Sequence, residues 1–125
     1  MNLWLIGCGP MAQAYAIVLL SLKVDFLVIG RGEDSAQHFT EKIGIPVQTG
    51  GLAQALSADK APDTAIVAVG VEQWALTTKQ LIQSGTRRIL LEKPGGLNVA
   101  ELSDLEAIAN SSGVQVWLAY NRRFY

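Results

Sequence analysis

The sequence is poor in the residues that thiol and metal chemistry need. It holds one cysteine, Cys8, and one histidine, His38. An intramolecular disulfide framework, a Cys/His metal cluster and a Cys/His nucleophile pair therefore all lack members. Charge of neither sign dominates, with ten Lys and Arg against eleven Asp and Glu and a formal net charge of −1. No basic stripe marks a nucleic-acid contact surface. Long apolar runs are missing too, and none approaches the ~18 to 20 residues of a membrane span. The chain opens on NLWLIG at residues 2–7 rather than on a charged segment followed by an apolar one, so no secretory signal is read. The expectations are no metal, no nucleic-acid partner, no membrane partner and, by default, a cytoplasmic location.

What is present is apolar residue, half of a 125-residue chain. That length allows one domain with a real core and not two. So much apolar surface points to a sheet covered on both sides, plus a surface that expects another domain or subunit. A homo-oligomer is expected for the full-length form.

Short β-rich runs alternate with longer helical ones. Leu3–Ile6, Asp25–Ile29, Ile45–Val47, Ala65–Val69, Arg88–Leu91 and Val114–Ala119 read as strands, mostly continuous apolar runs of the parallel-sheet kind. Helices are expected over Pro10–Leu22, Ser35–Ile43, Leu52–Ser57, Glu72–Ser84 and Val99–Asn110. Pro10 suits a first helical turn, and Asn98 with Glu101 forms a capping box flanked by the Leu97/Leu102 staple. Pro46 puts the third strand at a sheet edge. The expectation is an α/β fold, a doubly wound parallel sheet of the Rossmann type with about six strands in the order 3-2-1-4-5-6. No repeats or low-complexity tracts interrupt it.

Between the first strand and the first helix stands Gly7-Cys8-Gly9-Pro10-Met11-Ala12. A lone G-x-G-x-x-A is a weak signal, but strand-turn-helix context is what the dinucleotide fingerprint requires. Gly7 permits the tight turn, Gly9 admits a pyrophosphate close to the backbone, and Ala12 lets helix pack on strand. The first-turn N–H groups of Met11 and Ala12 are expected to face phosphate oxygens at the positive end of the helix dipole. Cys8, between the glycines, is read as a small apolar residue rather than a redox group.

The residue that separates NAD from NADP belongs at the end of the second strand, about 20 residues on. There this chain has Gly30 and Arg31 instead of a carboxylate. A guanidinium at that point pairs a 2′-phosphate, so NADP is expected over NAD. Glu33 and Asp34 keep NAD open, because either carboxylate would repel that phosphate or hold the ribose itself. Asp34 or Ser35 is the expected cap of the second helix.

At the end of the fifth strand the chain reads LLEKPGG, residues 90–96. Taken alone, Lys93 is a solvated strand end, since lysine is rarely buried unpaired. With the glycine loop, the β/α alternation, Glu92-Lys93-Pro94 and the terminal Asn121-Arg122-Arg123-Phe124 all in view, the chain resembles the N-terminal half of the Gfo/Idh/MocA oxidoreductases. The resemblance spans nearly all 125 residues. It implies hydride transfer between a nicotinamide cofactor and a hydroxyl or keto group of a sugar, cyclitol or sugar nucleotide. By the same resemblance Lys93 lies beside nicotinamide and substrate, as the catalytic proton-transfer group, and also contacts cofactor. Glu92 is assigned to orientation or cofactor contact, Val69 and Gly70 to cofactor contact, and Tyr120, Asn121 and Arg123 to the substrate side. In place of the family's Thr-Pro-Asn loop and following histidine, this chain has Val69-Gly70-Val71 and Trp74, the latter read as packing or an aromatic wall. Residues 1–119 are then the nucleotide domain and 120–125 the start of a crossover to a substrate domain that the 125 residues do not include. The competing reading is a stand-alone module that binds or senses a dinucleotide without catalysis; the Glu-Lys-Pro sequence argues against it, because a sensor needs no acid-base group.

Overall fold

The computed structural model of the chain describes residues 2–92 and 99–119. Strands β1 (Leu3–Ile6), β2 (Leu27–Ile29), β3 (Thr64–Val67), β4 (Arg88–Glu92) and β5 (Gln115–Ala119) form one sheet. Its order is β2-β1-β3-β4-β5 and every pairing is parallel. Helices α1 (Pro10–Ser21), α2 (Glu33–Ile43), α3 (Gly51–Ala58), α4 (Val71–Ser84) and α5 (Val99–Ser112) fill the connections. The expected α/β class and parallel, doubly wound sheet are what the structure shows.

Alternate side chains of a strand leave opposite faces, and here both faces are dry. Leu3 and Leu5 of β1 join Ala12, Ala16 and Leu19 of α1 and Phe39 of α2 on one side. Trp4 and Ile6 join Leu52 and Ala55 of α3, Trp74 and Leu81 of α4, and Leu105 of α5 on the other. All four residues of β1 are buried, which is why its sequence is continuously apolar rather than alternating. Ala12 and Ala16, fully buried, let α1 lie close to the sheet. Some of the apolar excess stays outside: Ile17, Val18, Leu20 and Leu22 are exposed on and just after α1, as is Leu27 of β2. Among the described residues no helix is long and apolar enough to cross a membrane.

Two expectations are corrected. The sheet has five strands rather than six, so its order is not the six-strand 3-2-1-4-5-6. The expected edge strand at Ile45–Val47 shrinks to a single parallel bridge between Gln48 and Ile29 of β2. Gln48 donates its N–H to the Val28 carbonyl at 2.8 Å, and Gly30 donates to the Gln48 carbonyl at 2.9 Å. Pro46 has no N–H to extend the ladder backwards. The second correction is the cap of α2: the N-cap is Gly32, with no side-chain cap, so Asp34 falls with Glu33 in the first turn, where acidic residues suit the helix dipole. Other element boundaries move by one or two residues. Leu97 and Asn98 of the expected staple and capping box lie outside the described residues.

Phe39 is the largest side chain of α2 in the core and has no exposed surface. Phe39→Ala should lower stability by about 3 to 5 kcal/mol, combining lost transfer energy with a residual cavity. Urea unfolding read by circular dichroism measures it.

Candidate functional site

The registers of the parallel pairs set Ile29, Ile6, Val67 and Leu91 level across four strands. The residues that follow them are Gly30, Gly7, Ala68 and Glu92, a row at the carboxyl edge of the sheet made of three small residues and one carboxylate. All four line a cleft of about 460 Å³. The cleft opens where the helix after β1 packs on one face and the helix after β3 on the other, the point at which open α/β sheets bind ligands.

Gly7 makes the turn out of β1. Its φ is +118°, and a Cβ there would land on the carbonyl of Ala68, so only glycine fits. Its N–H donates to the Ile29 carbonyl at 2.8 Å, tying the turn to β2. Gly9, the N-cap of α1, is a different case. Its backbone is extended (φ −84°, ψ −168°), a conformation open to any residue, and a Cβ there would meet nothing within 4 Å. The protein's own packing does not require this glycine. Pro10 follows at the first helical position, and Pro10 and Met11 both line the cleft. Ala12 does not; it is buried beneath the loop against the sheet.

At the β2 end, Gly30 sits under two side chains. A Cβ on it would come within 2.9 Å of both Cys8 Sγ and Val47 Cγ1. Its carbonyl accepts the N–H of Gly51 at 2.9 Å, which brings the start of α3 to the cleft wall. Burial pushes the Cys8 thiol up, an effect partly offset by the Arg31 N–H donating to the sulfur. Cys8 is buried against the position of Gly30 while also lining the cleft, and its raised thiol pKa is consistent with the small apolar role read from the sequence. Arg31 is exposed and lines the cleft beside Gly32 and Ser35.

At the other end, Val69 and Gly70 line the cleft together with Gln73 and Thr77 of α4. Trp74 does not; it is only 1% exposed and belongs to the core. Between the two readings of that residue, packing is the one observed. Glu92 closes this end at 7% exposure. The Tyr15 hydroxyl of α1 donates to Glu92 Oε2 at 2.5 Å across 77 residues of sequence. The Tyr15 phenol is pushed far above its ordinary value by burial, and further by this hydrogen bond and by the charge of Glu92. Glu92 Oε1 is buried with no hydrogen-bond partner among the described residues.

Of the residues singled out in the sequence, the cleft gathers Gly7, Gly9, Pro10, Met11, Gly30, Arg31, Val69, Gly70 and Glu92. Lys93, Tyr120, Asn121 and Arg123 lie outside the described residues. Sequence reasoning missed Tyr15. Its signal was present in the spacing, because Ala12, Tyr15, Ala16 and Leu19 share one face of α1, and a hydroxyl on an otherwise apolar buried face calls for a partner.

This is the architecture of a dinucleotide-binding α/β domain. Residues 1–120 match the Gfo/Idh/MocA oxidoreductase family, NAD-binding Rossmann fold, and the chain belongs to that family. It is 29% identical to the trans-1,2-dihydrobenzene-1,2-diol dehydrogenase of Mus musculus, over 97% of this chain and 37% of the relative. Among solved structures it is similar to GenD2 of gentamicin A biosynthesis in complex with NAD, with 28% identity, a TM-score of 0.78, and coverage of 95% of this chain and 34% of that one. It also shares the fold of the Synechocystis biliverdin reductase in complex with biliverdin and NADP+, with 23% identity, a TM-score of 0.75, and coverage of 94% and 37%. The chain therefore spans little more than a third of the length of these relatives.

The residues present fit a dinucleotide. Gly9 leaves the room that a pyrophosphate needs, and Glu92 Oε1 is a buried acceptor that wants a donor. Gly9→Val should abolish binding of NAD and NADP by filling that room, while the melting temperature stays near that of the wild type because nothing in the protein is crowded. Calorimetry and thermal melting check the two halves; unchanged affinity in the valine variant would refute the assignment.

Proposed function

We propose that this chain is the cofactor-binding part of an NAD(P)-dependent dehydrogenase or reductase acting on a hydroxyl or keto group of a carbohydrate-like small molecule. The observation that carries the reading is the level row Gly30-Gly7-Ala68-Glu92, with an open Gly9 beside it, lining one cleft with a carboxylate at one end. When bound, a nicotinamide cofactor supplies or accepts the hydride at C4. The chain's own residues bind and orient it. The glycine loop and the first turn of α1 receive the pyrophosphate, and Ala68, Val69 and Gly70 line the cleft toward β4.

Proton movement on the substrate oxygen falls to Lys93, which follows Glu92 in the sequence. A carbinol cannot release hydride without losing its hydroxyl proton, and a lysine at the end of a parallel strand stands where the ligand crevice opens. The name of the mouse relative, a diol dehydrogenase, agrees with chemistry at a carbinol. A sugar, cyclitol or sugar nucleotide follows from the family resemblance carried by Glu92-Lys93-Pro94 and Asn121-Arg122-Arg123-Phe124. The reading assigns substrate recognition to Tyr120, Asn121 and Arg123 together with protein beyond this nucleotide domain.

NADP is the proposed cofactor. Arg31 and Ser35 flank the β2 end of the cleft, and Gly30 brings no carboxylate there. Arg31→Ala should weaken NADP by about 1.5 to 3 kcal/mol, the scale of a charge-assisted hydrogen bond, and leave NAD nearly unchanged. Calorimetry with both nucleotides measures this, and equal losses would remove the 2′-phosphate role. In a longer form that carries the substrate domain, Lys93→Met should lower turnover by about 10² to 10⁴-fold, the usual contribution of general acid-base catalysis. Cofactor affinity should change far less. Near-normal turnover in steady-state assays would make Lys93 a solvated strand end.

A further inference from the structure

The two ends of the cleft differ in charge. Arg31 is the sole cationic side chain among the described residues lining it, and it stands at the β2 end. Glu92 ends β4, two strand spacings from Gly7 on the opposite side, about 10 Å away at ~4.8 Å per strand. A dinucleotide with its pyrophosphate on the glycine loop and its adenosine over β2 extends its nicotinamide toward β3 and β4. The carboxylate and the ring thus share the same end of the cleft.

Glu92 is held for this task. Tyr15 donates to Oε2, and Oε1 is buried without a partner among the described residues. Burying an unsatisfied acceptor is costly, so a donor entering the cleft at this oxygen would relieve that cost. The nicotinamide carboxamide offers an N–H in both redox states. Positive charge on the ring exists only in the oxidised state, and a carboxylate at the same end of a partly dry cleft would act on that charge more strongly than it would in water.

We propose that Glu92, held by Tyr15, makes this cleft discriminate by redox state, binding the oxidised pyridinium form of the cofactor in preference to the neutral dihydropyridine. The inference rests on the dinucleotide reading of the cleft. It adds a function that cofactor binding alone does not require: the carboxylate lowers the tendency of the bound nucleotide to accept hydride and speeds exchange of the reduced form.

The test is calorimetric titration of the protein with NAD+, NADH, NADP+ and NADPH, in the wild type and in two neutral variants. Glu92→Gln keeps size and an acceptor oxygen, whereas Glu92→Met keeps volume and removes the buried polar group, so at least one should retain the fold if the other does not. Because Lys93 is present in all three proteins, the comparison isolates Glu92. The dissociation constant of the oxidised form divided by that of the reduced form should rise about tenfold or more in either variant, the scale of one charge removed at close range. A ratio that does not change, or equal weakening of both forms, would overturn the proposal while leaving the dinucleotide site intact. Failure of the wild type to bind any of the four nucleotides would overturn both.

Discussion

Everything at the cleft depends on the register of a parallel sheet whose two faces are both buried. Leu3 and Leu5 belong to one core and Trp4 and Ile6 to the other. A slip of one residue would exchange these sets and put tryptophan where α1 presents alanines. With register fixed this firmly, Gly30, Gly7 and Ala68, each just beyond its strand, fall on one line with Glu92, the last residue of β4. The backbone N–H groups and side chains of this row are thus positioned by core packing at their backs rather than by contacts at the surface.

Gly7 joins that line to the first helix. The turn is so tight that the chain passes directly against the Ala68 carbonyl, and α1 begins three residues later. Ala12 and Ala16 keep the helix low on the sheet. The same low course carries Tyr15 over β3 to the end of β4, where it meets Glu92. One helix therefore serves the middle of the cleft with its first turn and the far end with its second. Loop, helix and carboxylate are mechanically linked, although their residues are far apart in sequence.

The parts of this arrangement that were legible in the sequence are those that local chemistry dictates. The run Leu3–Ile6 is continuously apolar because both faces are covered; Gly7, Gly9 and Pro10 announce a tight turn into a helix; Pro46 announces a sheet edge. What the residues could not announce is how far each tendency goes. Pro46 marked an edge, yet the segment contributes only the Gln48 bridge. Asp34 and Ser35 are good capping residues, but α2 begins earlier, directly after Arg31-Gly32, where the extended backbone of Gly32 serves as cap without a side chain. The Tyr15–Glu92 pair, separated by 77 positions, exists only through the fold. The same is true of the crowding of Gly30 by Cys8 and Val47. Family resemblance supplied roles for Lys93 and for Tyr120, Asn121 and Arg123 that no local spacing encodes.

That crowding at Gly30 bears on how the site can change over generations. The direct route to a ribose-binding carboxylate is an acidic residue at the end of β2, and here that route is blocked from below: any side chain at position 30 displaces Cys8 Sγ and Val47 Cγ1 together. A lineage that altered nucleotide choice at this position would have to shrink two packed neighbours first, passing through intermediates with holes in the core. The first turn of α2, with Glu33, Asp34 and Ser35 exposed, offers single steps without that penalty. Cys8, the lone thiol of the chain, is in this sense a lock on the evolutionary path.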